Sequence, residues 1–156
     1  MTDAPGPGSE SIERRRDWLA ALARADRAEL EAALSSTVPQ PDAMPLRPAE
    51  TGMVMVRARV GGSDNVFNFG EATVSRCAVQ FADGRVGVGY VLGRDRRKAE
   101  LVALIDGALQ DAARHDELWH AIVEPIRRVQ AQRSEAASRS AAASTVEFFT
   151  LVRGET

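Results

Sequence analysis

The chain has 156 residues, of which 44% are hydrophobic and 27% charged, so it is one globular domain in size and composition and not a disordered chain. Its 20 basic and 22 acidic residues give a net charge of −2, which argues against broad non-specific binding to nucleic acid or to an acidic membrane surface. One cysteine, Cys77, and two histidines, His115 and His120, exclude an intrachain disulfide, a zinc finger and a cysteine-ligated iron–sulfur cluster built by this chain alone.

No uncharged apolar run reaches the roughly 18 residues that a membrane span needs. The first residues, MTDAPGPGSE, lack the apolar core of a secretory signal. We therefore expect a cytoplasmic protein with a single domain over residues 1–156 and a flexible tail over residues 1–10.

The first predicted element is a helix that begins near Ser9 or Ser11. Its narrow apolar stripe consists of Trp18, Leu19 and Leu22, which lie at helical spacing. The stripe predicts that this helix packs through one side only.

A second, shorter helix is predicted to start at Asp26, because Asp26 followed by Glu29 resembles a capping box. The connection over residues 35–50 contains four prolines within ten positions, which excludes a regular helix. We expect a long loop or an extended arm there. The prolines are Pro39, Pro41, Pro45 and Pro48.

The hydrophobic period changes to two at Met53, which predicts a strand over residues 53–60. Residues 66–81 predict a second, long or interrupted strand, with Gly70 as a possible bulge. Asp83-Gly84 is typical of a tight hairpin turn, and a third strand should follow over residues 85–92. The three strands predict an antiparallel meander.

A helix is predicted after Asp95, a suitable N-cap. It should pack on one face of the sheet, because its apolar residues recur at helical spacing. The fold class predicted is therefore α+β. The stripe consists of Ala99, Val102, Ile105 and Leu109.

The last third of the chain predicts a further helical piece over residues 115–124, a new long helix opened by Pro125, and a terminal strand over residues 146–152. The long helix, residues 126–144, has only Ile126 and Val129 as large apolar residues, so little anchors it. We expect residues 126–156 to form an interface; the alternative is a terminal strand that packs inside the chain's own fold. The candidate interface side chains are Val146, Phe148, Phe149, Leu151 and Val152.

No pattern in the sequence predicts a catalytic residue. The glycines at 84, 87, 89 and 93 do not have the spacing of a nucleotide-binding loop, and the strand context favours close packing for Gly87 and Gly89. His115 and His120 lie about 140° apart around a helix, so they do not point at one metal. Cys77 is predicted to be a buried small hydrophobic residue rather than a nucleophile.

A cluster of four basic residues marks the start of the helix after Asp95. Positive charge is disfavoured at a helix N-terminus, so a phosphate or a partner's carboxylate would stabilise it. The alternative is a solvated charged turn with Asp95 and Glu100 as local partners. The candidate contact residues are Arg94, Arg96, Arg97 and Lys98.

Several sequence blocks together resemble the PhnG family, subunits of the bacterial carbon–phosphorus lyase machinery. They are ETG leading into MVMVRAR, GEATVSRCAV, DGRVGVGYVLGRD and the terminal VEFFTLVRGE. The similarity runs from about Trp18 to Glu155, whereas the N-terminal tail and the proline-rich connection carry no distinctive motif.

The resemblance implies an accessory subunit that works with PhnI, PhnH, PhnJ and a PhnL-type ATPase. In that family the assembly transfers an alkylphosphonate to the ribose of ATP, displaces adenine and forms ribose 1-phosphonate 5-triphosphate, with the nucleosidase chemistry attributed to PhnI. The iron–sulfur cluster and S-adenosylmethionine belong to PhnJ. We thus expect no cofactor and no metal in this chain, no catalysis by the chain alone, and a homodimer within a hetero-oligomer.

Three roles remain open at this point. The chain could be a structural subunit, an enzyme subunit that lends arginines to a shared nucleotide site, or a small stand-alone α+β ligand-binding domain. A monodisperse monomer would favour the last of these.

Overall fold

Five helices and three strands form the part of the chain that the structure, a computed structural model, describes: residues 7–59 and 66–143, with side chains described over 11–59 and 66–141. The elements are α1 (Pro7–Arg24), α2 (Arg27–Thr37), β1 (Ala43–Arg59), β2 (Val66–Phe81), β3 (Val86–Leu92), α3 (Arg96–Leu109), α4 (His115–Leu118), a π-helical turn (Trp119–Val123) and α5 (Glu124–Ala143). The predicted α+β class is confirmed. None of the helices described is long and apolar enough to cross a bilayer.

The strands form one antiparallel sheet in the order β1-β2-β3, as the meander predicted. Ser75 at the centre of β2 lies opposite Thr51 of β1 and Val91 of β3. The turn between β2 and β3 is closed by the Phe81 amide, which donates to the Arg85 carbonyl at 2.9 Å. Gly84 adopts φ 88° in this turn. This is the left-handed conformation that the Asp-Gly pair predicts.

Helix α3 lies directly against β3. A Cβ atom on Gly87 would collide with the Ala103 carbonyl oxygen, and one on Gly89 with that of Ala99. The two glycines therefore let helix and strand backbones touch, which confirms close packing as their role. The predicted stripe of α3 is buried to 1% exposure or less, and the main core also includes Trp18, Leu22, Leu30, Leu118 and Ile122.

Two helix starts carry the caps that were predicted. The Asp26 amide donates to the Glu29 carboxylate at 3.1 Å, which is one half of the capping box. The Asp95 carboxylate accepts from the Lys98 amide at 2.9 Å. Local sequence thus set the entry points of α2 and α3.

The connection predicted over residues 35–50 is shorter than expected, and its second half is extended, which was one of the two alternatives. Helix α2 continues to Thr37, and β1 begins at Ala43, ten residues before Met53. Strand β1 tolerates its prolines because it is an edge strand. Pro45 and Pro48 also lie where the β1–β2 register shifts, so their missing amides interrupt no regular ladder.

Two further boundaries differ from the prediction. Helix α1 begins at Pro7, so the last four positions of the predicted tail are helical; proline suits the first helical position because that amide needs no intrahelical partner. The helical backbone also runs on through Pro125 from His115 to Ala143 instead of restarting. The π-helical turn directly before Pro125 widens the helix, a usual way to accommodate a proline without a break.

The outer half of the β1–β2 hairpin extends beyond the helices. Helix α3 begins beside Thr51, whose hydroxyl accepts from Arg96 Nε at 3.4 Å. We call residues 52–59 with residues 66–73 the arm. At about 3.4 Å per residue each strand of the arm runs for some 27 Å. Within it the register shifts between Val56 and Arg57, opposite Gly70, where a bulge was predicted.

Candidate functional site

The basic cluster at the start of α3 is partly neutralised by its own chain. Arg97 Nη1 donates to Glu100 at 3.0 Å, and its Nε lies 3.9 Å from Glu31. Arg96 reaches the hydroxyl of Thr51. These contacts agree with the solvated-turn alternative for Arg97. The side chain of Arg94 is exposed. The anion or partner contact of the cluster as a whole remains a prediction.

The sheet has an apolar face on the side opposite α3, which we call the open face. Along β3 the side chains alternate, so that Val91 is buried against the helices while Tyr90 and Leu92 are 50% and 76% exposed. Met44 and Leu46 of β1 are also more than half exposed. The solvent side of an antiparallel sheet is normally polar. An apolar open face is therefore the mark of a protein-contact surface.

The open face also carries a charged cluster, in which Glu50 pairs with both Arg76 and Arg47. Glu50 lies opposite Arg76, and its carboxylate accepts from Arg76 Nε at 2.7 Å. This hydrogen bond, with the charge of Arg76, holds the pKa of Glu50 below its ordinary value. The cluster therefore places a polar region beside the apolar side chains of this face.

A buried carboxylate that the sequence reading missed lies at the edge of β3. Asp106 of α3 is completely buried. Its two oxygens accept from Trp18 Nε1 at 2.8 Å, from Arg15 Nη2 at 2.7 Å and from the Val88 amide at 2.8 Å. The sequence signal for this site is the position of Asp106 directly after Ile105 of the apolar stripe of α3. An acidic residue at the edge of a buried stripe is expected to need a hydrogen-bonding partner.

The same cluster closes the free edge of β3. The Val86 carbonyl accepts from Arg15 Nη2 at 3.0 Å and from Gln110 Nε2 at 2.9 Å, while Asp106 takes the Val88 amide. Side chains thus occupy backbone groups that a neighbouring strand would otherwise pair with. We interpret this cluster as structural, because its charged members are committed to each other and to the strand.

A cavity of about 520 Å³ lies beside this cluster, between α1 and the end of α3. Arg14, Arg15, Trp18, Gln110 and His115 are among its lining residues. Its volume is in the range of small-molecule sites. Arg15 and Gln110 already donate hydrogen bonds to the backbone of β3. His115 Nδ1 lies 2.7 Å from the Leu109 carbonyl and donates to it, because a carbonyl oxygen can only accept. Of the residues named here, Arg14 is the charged side chain left to meet a ligand.

The remaining candidate groups do not meet in one place. Cys77 is buried, as predicted, and burial raises the pKa of its thiol, which disfavours the nucleophilic thiolate. His120 lies 2.8 Å from Glu124, a contact that lowers the pKa of that carboxyl, whereas His115 is bound to α3. Among the residues with described positions, no group of three or more His, Cys, Asp or Glu side chains could hold a metal ion.

The C-terminal part of the predicted interface is only partly described. Gln130 Nε2 donates to the Ala21 carbonyl at 2.9 Å and Arg133 Nη2 to Asp26 at 2.9 Å, which hold the first half of α5 against α1 and α2. From residue 131 to residue 141 every side chain is exposed. The predicted strand over residues 146–152, with its five interface side chains, lies outside the described residues.

These features define a class: a small α+β protein that presents an apolar sheet face and an extended two-stranded arm to solvent. Residues 13–154 match the family described as "Phosphonate metabolism protein PhnG". The chain belongs to the PhnG family, and the resemblance drawn from its sequence blocks is confirmed. It is 41% identical over 160 aligned positions, 99% of each chain, to the "Alpha-D-ribose 1-methylphosphonate 5-triphosphate synthase subunit PhnG" of Rhizobium meliloti (strain 1021).

Proposed function

We propose that this chain is an accessory subunit of a ribose 1-methylphosphonate 5-triphosphate synthase in organic phosphonate catabolism. The observation that carries the proposal is the 41% identity to a subunit of that name over 99% of both chains.

The reaction proposed for the assembly joins ATP and an alkylphosphonate. A phosphonate oxygen forms a bond to C1′ of the ribose, the bond from C1′ to N9 of adenine breaks, and adenine leaves with the bonding electron pair and takes up a proton. We assign this chemistry to PhnI. The described part of this chain supports an accessory role, because its one fully buried carboxylate, Asp106, is committed to Arg15 and Trp18.

The partners proposed are PhnI, PhnH, PhnJ and a PhnL-type ATPase, with two copies of this chain in the hetero-oligomer. ATP is then a substrate of the assembly, while the iron–sulfur cluster and S-adenosylmethionine stay with PhnJ. For this chain we propose two contact regions, the basic cluster at the start of α3 and the apolar segment over residues 146–152. The open face supports such contacts, since it presents Tyr90 and Leu92 to solvent.

The test measures adenine release from ATP and methylphosphonate. The purified chain alone should release no adenine above the blank. PhnI, PhnH and PhnL should release adenine at a much lower rate without this chain than with it. Release by the chain alone at the rate of the full set, or an unchanged rate when the chain is omitted, contradicts the accessory role.

A second candidate is a stand-alone ligand-binding protein, which the cavity of about 520 Å³ favours. Size-exclusion chromatography of the co-expressed subunits separates the two. A monodisperse monomer that elutes apart from every partner would support the stand-alone candidate.

A further inference from the structure

The arm is exposed on both of its faces. Met53 and Met55 of β1 lie opposite Thr73 and Glu71 of β2. Their side chains are on the face of the sheet that α3 covers elsewhere, but they lie beyond the first residue of that helix. They are 68% and 53% exposed. On the other face Val56 is also exposed. Two layers of apolar side chains therefore stand in water with a single two-stranded ribbon between them.

The second strand of the arm adds an aromatic pair. Phe69 is 73% exposed, and Phe67, two positions before it, is exposed as well. Their rings meet edge to face with centroids 6.4 Å apart. A two-stranded ribbon is only marginally stable by itself in water, so an arm with this composition needs a cover.

The described part of the arm is also basic toward its outer end. Arg57 and Arg59 are exposed, and neither makes an ion pair with any residue inside the described ranges. The described acidic residue of the arm, Glu71, lies opposite Met55, nearer the base. The matching surface should therefore carry acidic groups where it meets the outer end of the arm.

A cleft covers the arm better than a flat surface does. A second copy that packs arm against arm covers one face of each and leaves the other in water. The chain's own apolar depression beside Cys77 and Leu104 has a volume of about 310 Å³, room for one or two side chains and not for a ribbon. The geometry therefore favours a receptor on a different protein.

We propose that the arm inserts into an apolar cleft with an acidic rim on another subunit of the synthase assembly. The proposal rests on the proposed function, since it takes its partner from that assembly. Insertion buries the methionines and phenylalanines on both faces and pairs Arg57 and Arg59 with carboxylates. The arm is thus a further contact region of this subunit, beside the basic cluster at the start of α3 and the segment over residues 146–152.

Three sets of variants of the full chain test the proposal. M53T/M55T/F69T removes the apolar anchors and keeps a residue with high β propensity at each position. R57E/R59E reverses the charge at the outer end. The matched controls are I12A and R14E/R16E on α1, which change exposed residues of the same kinds away from the arm. Circular dichroism and the melting temperature of each isolated chain report on folding.

Each variant is co-expressed with PhnI, PhnH, PhnJ and PhnL, and the co-purified partner is quantified. Both arm variants should lose about tenfold or more of it, as expected when interface anchors are removed, while the controls match wild type. The photo-reactive residue p-benzoylphenylalanine in place of Phe69 should cross-link to one of these subunits.

Three results would overturn the proposal. The arm variants could co-purify at full yield, the adduct at position 69 could contain only a second copy of this chain, or the loss could be equal in the controls. In each of these cases the wild-type chain still assembles, so the proposed function stands. Failure of the wild-type chain to co-purify with any subunit contradicts the proposed function itself, and the insertion proposal fails with it.

Discussion

At the scale of single residues, the carboxylate of Asp106 connects three elements of the described structure, α1, β3 and its own helix α3. It is fully buried and joins α1 to the edge of β3 through Arg15, Trp18 and the Val88 amide. Without Asp106, the Trp18 indole and the Val88 amide would lose this acceptor, and the Arg15 guanidinium would keep the Val86 carbonyl. A buried donor left unpaired costs about 1–3 kcal/mol, and a charged one costs more.

We expect D106A to lower the free energy of unfolding by about 3 kcal/mol, because it leaves the Trp18 indole and the Arg15 guanidinium without their common acceptor. Urea unfolding followed by tryptophan fluorescence measures the change. The control is D17A on α1, which removes an exposed carboxylate and should change stability by less than about 0.5 kcal/mol. Equal effects of the two substitutions would show that the Asp106 cluster adds nothing to stability.

At the scale of elements, the contact between α3 and β3 depends on the absence of two side chains. The carbonyl groups of Ala99 and Ala103 lie where the Cβ atoms of residues 89 and 87 would be. A backbone carbonyl cannot rotate away as a side chain would, so any added atom must move the helix. This contact positions the start of α3, and with it the basic cluster and the base of the arm.

Gly89→Ala should therefore destabilise the chain by about 2 kcal/mol or more, as overpacking at a backbone contact does. Thermal unfolding and the near-UV circular dichroism spectrum report the loss of packing. Gly52→Ala is the matched control, since it adds the same methyl group to a strand where no heavy atom lies within 4 Å. A Gly89→Ala chain with wild-type stability would mean that α3 is free to move outward from the sheet.

At the scale of the whole molecule, the chain is built unevenly. The core lies between the sheet and the helices, whereas the arm, the open face and the outer half of α5 present apolar or small side chains to solvent. Such a distribution is typical of one component of a larger complex. The expected phenotype of surface changes is thus loss of assembly with little loss of stability.

Deletion of residues 145–156 should abolish co-purification with the partner subunits and shift the melting temperature of the isolated chain by less than about 3 °C. The reason is that the apolar segment over residues 146–152 comes directly after the second half of α5 in the sequence. That half of α5 is exposed and so contributes little to the core. Deletion of residues 2–6 is the control for chain length. Full co-purification of the C-terminally truncated chain would refute the assignment of this segment to an interface.

Charge reversal in the basic cluster, R94E/R96E, should weaken assembly or the adenine release of the complete set while it changes stability by less than about 0.5 kcal/mol. Arg97 is left in place because it already pairs with Glu100. The same reversal on α1, R14E/R16E, controls for net charge. Wild-type assembly and activity of R94E/R96E at physiological salt would establish the cluster as a solvated turn.

Short-range patterns were sufficient to predict a large part of this fold. The Asp83-Gly84 turn, the caps at Asp26 and Asp95, and the apolar stripe of α3 depend on residues within a few positions of each other. The PhnG family could also be recognised from the sequence, because the blocks that identify it are contiguous segments of the chain. The expectation of a subunit role came from this family resemblance and not from any single type of residue.

Other features depend on contacts between distant segments and could be decided only by the tertiary structure. Pro45 and Pro48 argue against a strand locally, yet this segment pairs with β2 because it is the edge strand of the sheet. Asp106 and Arg15 are 91 positions apart, so no local pattern joins them. The arm has the same alternation as the buried half of the hairpin. Only the point where α3 begins, beside Thr51, decides which half is covered and which is left for a partner.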